Sequence, residues 1–368
     1  MMNSLLLRSL ALSALAVTVA TALTTGLTAE LAAAQSSPPV LASQVQLRFD
    51  TTEAAVALGI VEWHKDKNAL TDDDWRKLFK SDGYQRLRQR EIEAEHAFPD
   101  SVFQAFLLSD SLGKRAVALR TTLEKYKRAD IRGAGAKALA YLPENARVAA
   151  SVYLVLKPAP SSFVYDLQRD PSIVMYLDTK QTAAQFENTI AHELHHIGFS
   201  TIGTRADSMV GSLSINARIA ADWTRAFGEG FAMLAAAGGP NVHPHAVSSA
   251  ADRARWDRDL THFNRDLKRI EEFFLGVIDG KLASPDAIGG AANEFYGVEG
   301  PWYTVGWKMA TTIEKKFGRK EVIECMIDPH RLLEQYNAAA AAYNKANPAA
   351  ALALWSPVLV KALKRPGT

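Results

Sequence analysis

Residues 182–198 read Thr182-Ala183-Ala184-Gln185-Phe186-Glu187-Asn188-Thr189-Ile190-Ala191-His192-Glu193-Leu194-His195-His196-Ile197-Gly198. Apolar Phe186, Ile190, Leu194 and Ile197 recur at spacings of three and four, which predicts a helix with one apolar face. Thr182 is placed to cap its start and Gly198 to stop it. Inside this helix, His192-Glu193-Leu194-His195-His196 fits the pattern H-E-x-x-H. Residues i and i+4 of an α-helix differ by about 40° in direction and about 6 Å in rise, so His192 and His196 can aim two imidazole nitrogens at one ion. Glu193 lies about 100° round from His192 and flanks that ion. From there a carboxylate can take a proton from a water whose pKa zinc lowers to roughly 7. His195 points about 100° away from His196, a direction suited to packing or to support of the ligands.

Two histidines leave a catalytic zinc short of its usual three protein ligands. One continuation of the pattern is H-E-x-x-H-x-x-G-x-x-H. Here Phe199 holds the glycine position and Ile202 the third histidine position, so that class is excluded. The other option is a glutamate from a second helix, and Gly228-Glu229-Gly230-Phe231-Ala232 supplies a candidate. Glu229 lies in an apolar, Ala-rich stretch from Ile215 to Ala237. Its carboxylate is expected to be partly buried, which is tolerated only if it is paired or metal-bound. Gly230 and Ala232 would let that helix approach the His192 helix closely. The alternative is an exposed glutamate at a glycine break.

These residues resemble the gluzincin class of zinc metallopeptidases, whose third ligand is a glutamate. Gly228 to Ala232 looks like the E-G-x-A segment of several such families. Together with Phe186 to Phe199 and the run Gly300-Pro301-Trp302-Tyr303-Thr304-Val305-Gly306-Trp307-Lys308-Met309-Ala310, they are similar to a poorly characterised domain family of zinc-dependent peptidases, over roughly residues 180–330. The resemblance implies His192, His196 and Glu229 as zinc ligands and Glu193 as general base. One departure stands out. Thermolysin-like enzymes carry an aspartate one turn after the glutamate ligand, and Met233 stands there in this chain. The group that orients the histidines must then be another carboxylate or a backbone carbonyl.

Peptide hydrolysis also needs a donor for the developing oxyanion. Tyr303 is the candidate, since it follows a Gly-Pro turn at a helix start; the alternative is aromatic packing with Trp302 and Trp307. His243 and His245, in Asn241-Val242-His243-Pro244-His245, would otherwise donate or bind a second metal, or simply sit in solvent.

The first 34 residues read as a secretory signal peptide: Arg8 in a short basic region, an apolar core from Leu10 to Leu23, and Ala32-Ala33-Ala34 before Gln35. An uncleaved anchor is the rival. No later segment is apolar and long enough to span a membrane. Gln35 to Ser43 reads as a flexible leader. With one cysteine, Cys325, in an apolar run, no intrachain disulfide forms, and stability must come from the core. A net charge of +2 points to neither nucleic-acid binding nor strong membrane attraction.

Residues 35–147 read as a helical region that packs on the catalytic part, with Thr71-Asp72-Asp73-Asp74 as a capped helix start and His64 and His96 isolated. Ser151 to Leu156 and Ser172 to Leu177 are β-branched, apolar runs and read as strands. The second leads into the His192 helix, and Ile173 to Leu177 is either an edge strand that binds extended peptide or a core strand. From Ser248 onward the chain reads as helical. The expected class is predominantly helical α+β, with a zincin-like catalytic domain over 148–368. The expected function is an exported, secreted or periplasmic, zinc metallopeptidase acting on peptide or protein substrates. A zincin-fold binding protein without turnover and a zinc-dependent amidase on a non-peptide substrate are the alternatives.

Overall fold

The computed structural model describes residues 44–365 apart from 95, 159–161 and 168. The signal-peptide reading of residues 1–34 and the leader to Ser43 fall outside them. Four strands form one mixed sheet: β1 (Val45–Asp50), β2 (Val148–Val155), β3 (Phe163–Tyr165) and β4 (Ser172–Tyr176), in the order β1-β2-β4-β3. β2 and β4 run parallel, with Ser151 opposite Ser172 and Val155 opposite Tyr176. β3 returns antiparallel on the other side of β4, with Phe163 opposite Val174. Helices make up most of the remaining described chain, so the class is predominantly helical α+β. The described residues cluster into two units: Gln46–Gly135 with Val148–Ser200, and Ala136–Arg147 with the chain from Thr201 on.

The first unit contains the sheet and the Ala183–Ser200 helix that bears the H-E-x-x-H pattern. β4 is an interior strand, paired on both sides, and Ser172 through Met175 are buried. It is therefore the core strand of the two readings, and the edge belongs to β3. The start of the Ala183–Ser200 helix is tightly tied. Thr182 Oγ1 accepts from the Gln185 amide (3.1 Å), and Gln185 Oε1 accepts from the Thr182 amide (2.8 Å). This capping box satisfies two donors that a helix start would leave open. The Tyr126 hydroxyl donates to the carbonyls of Asp178 and Gln181, at 2.9 and 3.0 Å, while its ring stacks on Phe186. Asp130 gives its amide to Glu187 (2.8 Å). Gly198 does not stop the helix, which runs on to Ser200 with Ile197 and Gly198 both buried. A helical glycine costs only about 1 kcal/mol, which the burial of neighbouring apolar side chains offsets.

The second unit is built around the Pro301–Phe317 helix, buried along most of its length. Trp302 sits at 0% exposure among Phe227, Phe273, Phe274 and Phe295, and its indole N–H donates to Ala292 O (3.0 Å). The segment Ala136–Arg147 is held to this unit by the Tyr141 hydroxyl, 3.0 Å from the Glu314 carboxylate, and by Arg319 over the Tyr141 ring. Cys325 is buried, and burial pushes its thiol up, in keeping with an apolar role. No helix among the described residues is long and apolar enough to cross a membrane. Thr71 and Asp74 form the capping box expected at the Asp72–Phe79 helix.

Glu53 enters the first unit's core on the Thr52–Lys65 helix. Its Oε2 accepts from the Leu156 amide at the end of β2 (2.8 Å), and Oε1 has no hydrogen-bond partner. Burial pushes this carboxyl up to about 8, against a smaller lowering by the Leu156 amide. A carboxyl whose folded pKa is raised stabilises the fold fully below its unfolded pKa, and that contribution is lost as pH rises through about 8. Glu53→Gln keeps an acceptor for Leu156 and removes the titration. Urea unfolding at pH 5, 6.5 and 8 should show wild type losing stability across this range and the variant losing less. Equal slopes would contradict the burial argument.

Candidate metal centre

The i, i+4 spacing on the Ala183–Ser200 helix does what the sequence demands of it. His192 Nε2 and His196 Nε2 lie 3.1 Å apart, with their rings turned 76° to one another. A tetrahedral zinc with nitrogens at about 2.0–2.1 Å would set two of them about 3.3 Å apart, so the pair fits the ion. Both rings are half-buried, on a helix whose opposite face holds Ile190, Leu194 and Ile197 in the core. His195 is 1% exposed, as packing or support of the ligands requires.

Glu229 stands in the first turn of the Gly228–Ala237 helix, directly after the 3₁₀ turn Thr224–Phe227. It is 4% exposed, so the reading as a solvated glutamate at a glycine break does not hold. One ligand atom each of His192, His196 and Glu229 lie within 4.8 Å of one another. Among the described residues they form the group of three histidine, cysteine or acidic side chains suited to a metal ion. Two neutral nitrogens and one carboxylate oxygen are a donor set of the kind catalytic zinc takes, with a fourth position left for water or substrate.

Gly230 explains how Glu229 is placed, and corrects one expectation. A Cβ there would meet backbone of the Pro301–Phe317 helix, at Trp307, Gly306 and the Tyr303 carbonyl. Gly306 answers it: a Cβ on that residue would stand 2.6 Å from Phe227 O. The closeness that Gly230 permits is thus with the Tyr303 helix, whereas the sequence reading had set it toward the His192 helix. The consequence is that Tyr303, 6% exposed, stands beside the Glu229 turn. Its neighbours Trp302 and Trp307 go into separate aromatic groups, Trp302 with four phenylalanines and Trp307 edge-on to Trp256 at 5.8 Å.

A second tyrosine was not legible in the sequence. Burial, and then the Glu229 carboxylate, push the Tyr296 phenol up. No local pattern marks it, because only the turn before Gly300 brings it there. His245 is not a solvated loop residue, and His243 is half-buried. His243 Nε2 is 3.0 Å from Asp257 Oδ1, and buried His245 has its Nε2 3.1 Å from Glu299 Oε1. Glu193 is half-exposed on the His192 helix.

Searches of the curated proteins and of the solved structures gave no significant match. A family model does match, over residues 75–345, and it takes in the His192 helix, the Glu229 helix and the Tyr303 helix. With well over half of its length matched, this chain belongs to the family described as "Putative zinc dependent peptidase (DUF5700)".

Proposed function

We propose that the protein is an exported zinc metallopeptidase in which His192, His196 and Glu229 hold the metal and Glu193 is the general base. Family membership makes zinc the metal and a peptide or protein the substrate class. The observation that carries the residue assignment is the convergence of His192, His196 and Glu229 within 4.8 Å, with two ring nitrogens 3.1 Å apart. A gluzincin-type, zincin-like catalytic domain is the architecture this ligand set suits.

When bound, zinc would polarise the scissile carbonyl and acidify water at the site. Glu193, one residue on from His192, accepts the proton of the attacking water and hands it to the leaving amine. Tyr303 is the side chain proposed to donate to the carbonyl oxygen as negative charge develops there. The leader over residues 1–34 directs export and is cut at Ala32-Ala33-Ala34.

Glu193→Gln should lower kcat by about 10²–10⁴ while zinc content stays at the wild-type level. A variant with full activity would exclude Glu193 as the base. Glu229→Ala should weaken zinc binding by more than the roughly 10–100-fold that follows loss of an outer partner. An unchanged zinc affinity in a competition titration would remove Glu229 from the ligand set. Mass spectrometry of protein recovered outside the cytoplasm should find a mature chain beginning near Gln35; an intact residue 1 would refute the cleavage.

A further inference from the structure

Behind the Tyr303 helix, the second unit buries a string of charges that the proposed reaction does not use. It ends on Glu299, which has left-handed backbone (φ 56°) although it is not a glycine, and whose side chain is 10% exposed. The two oxygens of its carboxylate are held by different segments. Oε1 is 3.1 Å from His245 Nε2, and Oε2 accepts from Arg255 Nη2 at 2.9 Å. Arg255 is itself fixed by Asp252 (2.8 Å), and Asp252 is fixed by Ser249 at the start of the Ala250–Leu260 helix. The His245 loop is fixed as well: the His245 amide donates to His243 Nδ1 (3.0 Å), and His243 Nε2 faces Asp257.

What this string grips is the entry to the Tyr303 helix. Gly300 and Pro301 follow Glu299 directly, and a Cβ at Gly300 would stand 2.5 Å from Tyr296 O and 2.6 Å from Phe295 O. The turn is closed by Gly300 N to Tyr296 O (2.6 Å) and Trp302 N to Phe295 O (3.1 Å). Tyr296 lies at one end of this turn and Tyr303 just past the other, where the Tyr303 carbonyl lies against Gly230, next to Glu229. A second path leads the same way. The His245 ring is 5.2 Å from Trp256, Trp256 meets Trp307 edge-on, and Trp307 backbone lies against Gly230.

We propose that Glu299, clamped by His245 and Arg255, is a positioning residue: it holds the 295–301 turn closed and thereby sets the Tyr303 helix against the Glu229 turn. The proposal rests on reading Glu229 as part of a zinc centre. A backbone conformation that a side chain rarely adopts persists only where its surroundings over-determine it, and here the Arg255 hydrogen bond and His245, 3.1 Å away on a separate segment, do so. Losing hydrogen bonds to a charged group should loosen the turn locally without unfolding the unit.

Two variants test this. Glu299→Gln keeps the side chain's size, and Glu299→Gly accepts the backbone angle, so neither adds a clash. In zinc-loaded protein, amide exchange at Gly300, Trp302, Tyr303 and Thr304 should quicken at least about tenfold. Exchange in the Pro329–Ala346 helix and the zinc content should stay unchanged, and kcat should fall with KM unaltered. Unchanged exchange in the turn, exchange raised equally across the unit, or faster exchange with wild-type kcat would each overturn the positioning role. A wild-type protein that cleaves no peptide refutes the metallopeptidase reading instead, and the exchange measurement still decides whether Glu299 holds the turn.

Discussion

Backbone lies against backbone where the Gly228–Ala237 helix meets the Pro301–Phe317 helix, and much of the second unit is arranged around that contact. Gly230 and Gly306 remove the side chains that would keep the two apart. Each glycine gives up about 1 kcal/mol of helix propensity relative to alanine, which close packing of the two helices offsets. The contact places Glu229 one residue from the crossing and Tyr303 one turn before it. A carboxyl group and a phenol are thereby held on rigid elements, which fixes side chains more closely than loops do.

The interior carries more ionisable groups than packing alone would call for, and their treatment differs. Glu314 is paired with Tyr141 and Arg319, and Glu299 with His245 and Arg255; removing one partner from such a buried set leaves an uncompensated charge. Glu53 is handled another way, by a raised pKa that keeps it largely protonated near neutrality. Glu229 is buried on the Gly228–Ala237 helix, a position tolerated when the charge is paired or metal-bound. The first two solutions mark two kinds of role: tying segments together, and filling a core with a neutral acid.

The sequence was most readable where structure is local. The cap at Thr182, the apolar face of Phe186, Ile190, Leu194 and Ile197, and the convergence of His192 with His196 all depend on one helix's own period. Glu229 was readable because a charge inside an Ala-rich run has few reasons to be there. β2 and β4 announced themselves by composition, yet whether β4 was edge or core depended on β3, whose three residues are too short to give a pattern. β1 falls within residues 35–147, which read as a helical region, although Val45, Leu47 and Phe49 alternate with Gln46 and Arg48. Tyr296, Glu299 and the true neighbour of Gly230 were beyond reach, because each is defined by a partner 60 or more residues away in the chain or by a turn's backbone angle.

The short outer strands have a further consequence. A sheet exposes unpaired amides and carbonyls along its two borders, and such borders invite pairing with other chains. β1 bears Arg48, which reaches Asp50 and Asp82, and β3 is three residues long with Lys157 and Arg90 flanking Phe163 and with Glu93 bound to Tyr165. Any second chain laid along either border would have to displace or bury these charges. Charged side chains beside both outer strands would oppose such pairing, while the strongly apolar β4 stays in the middle of the sheet.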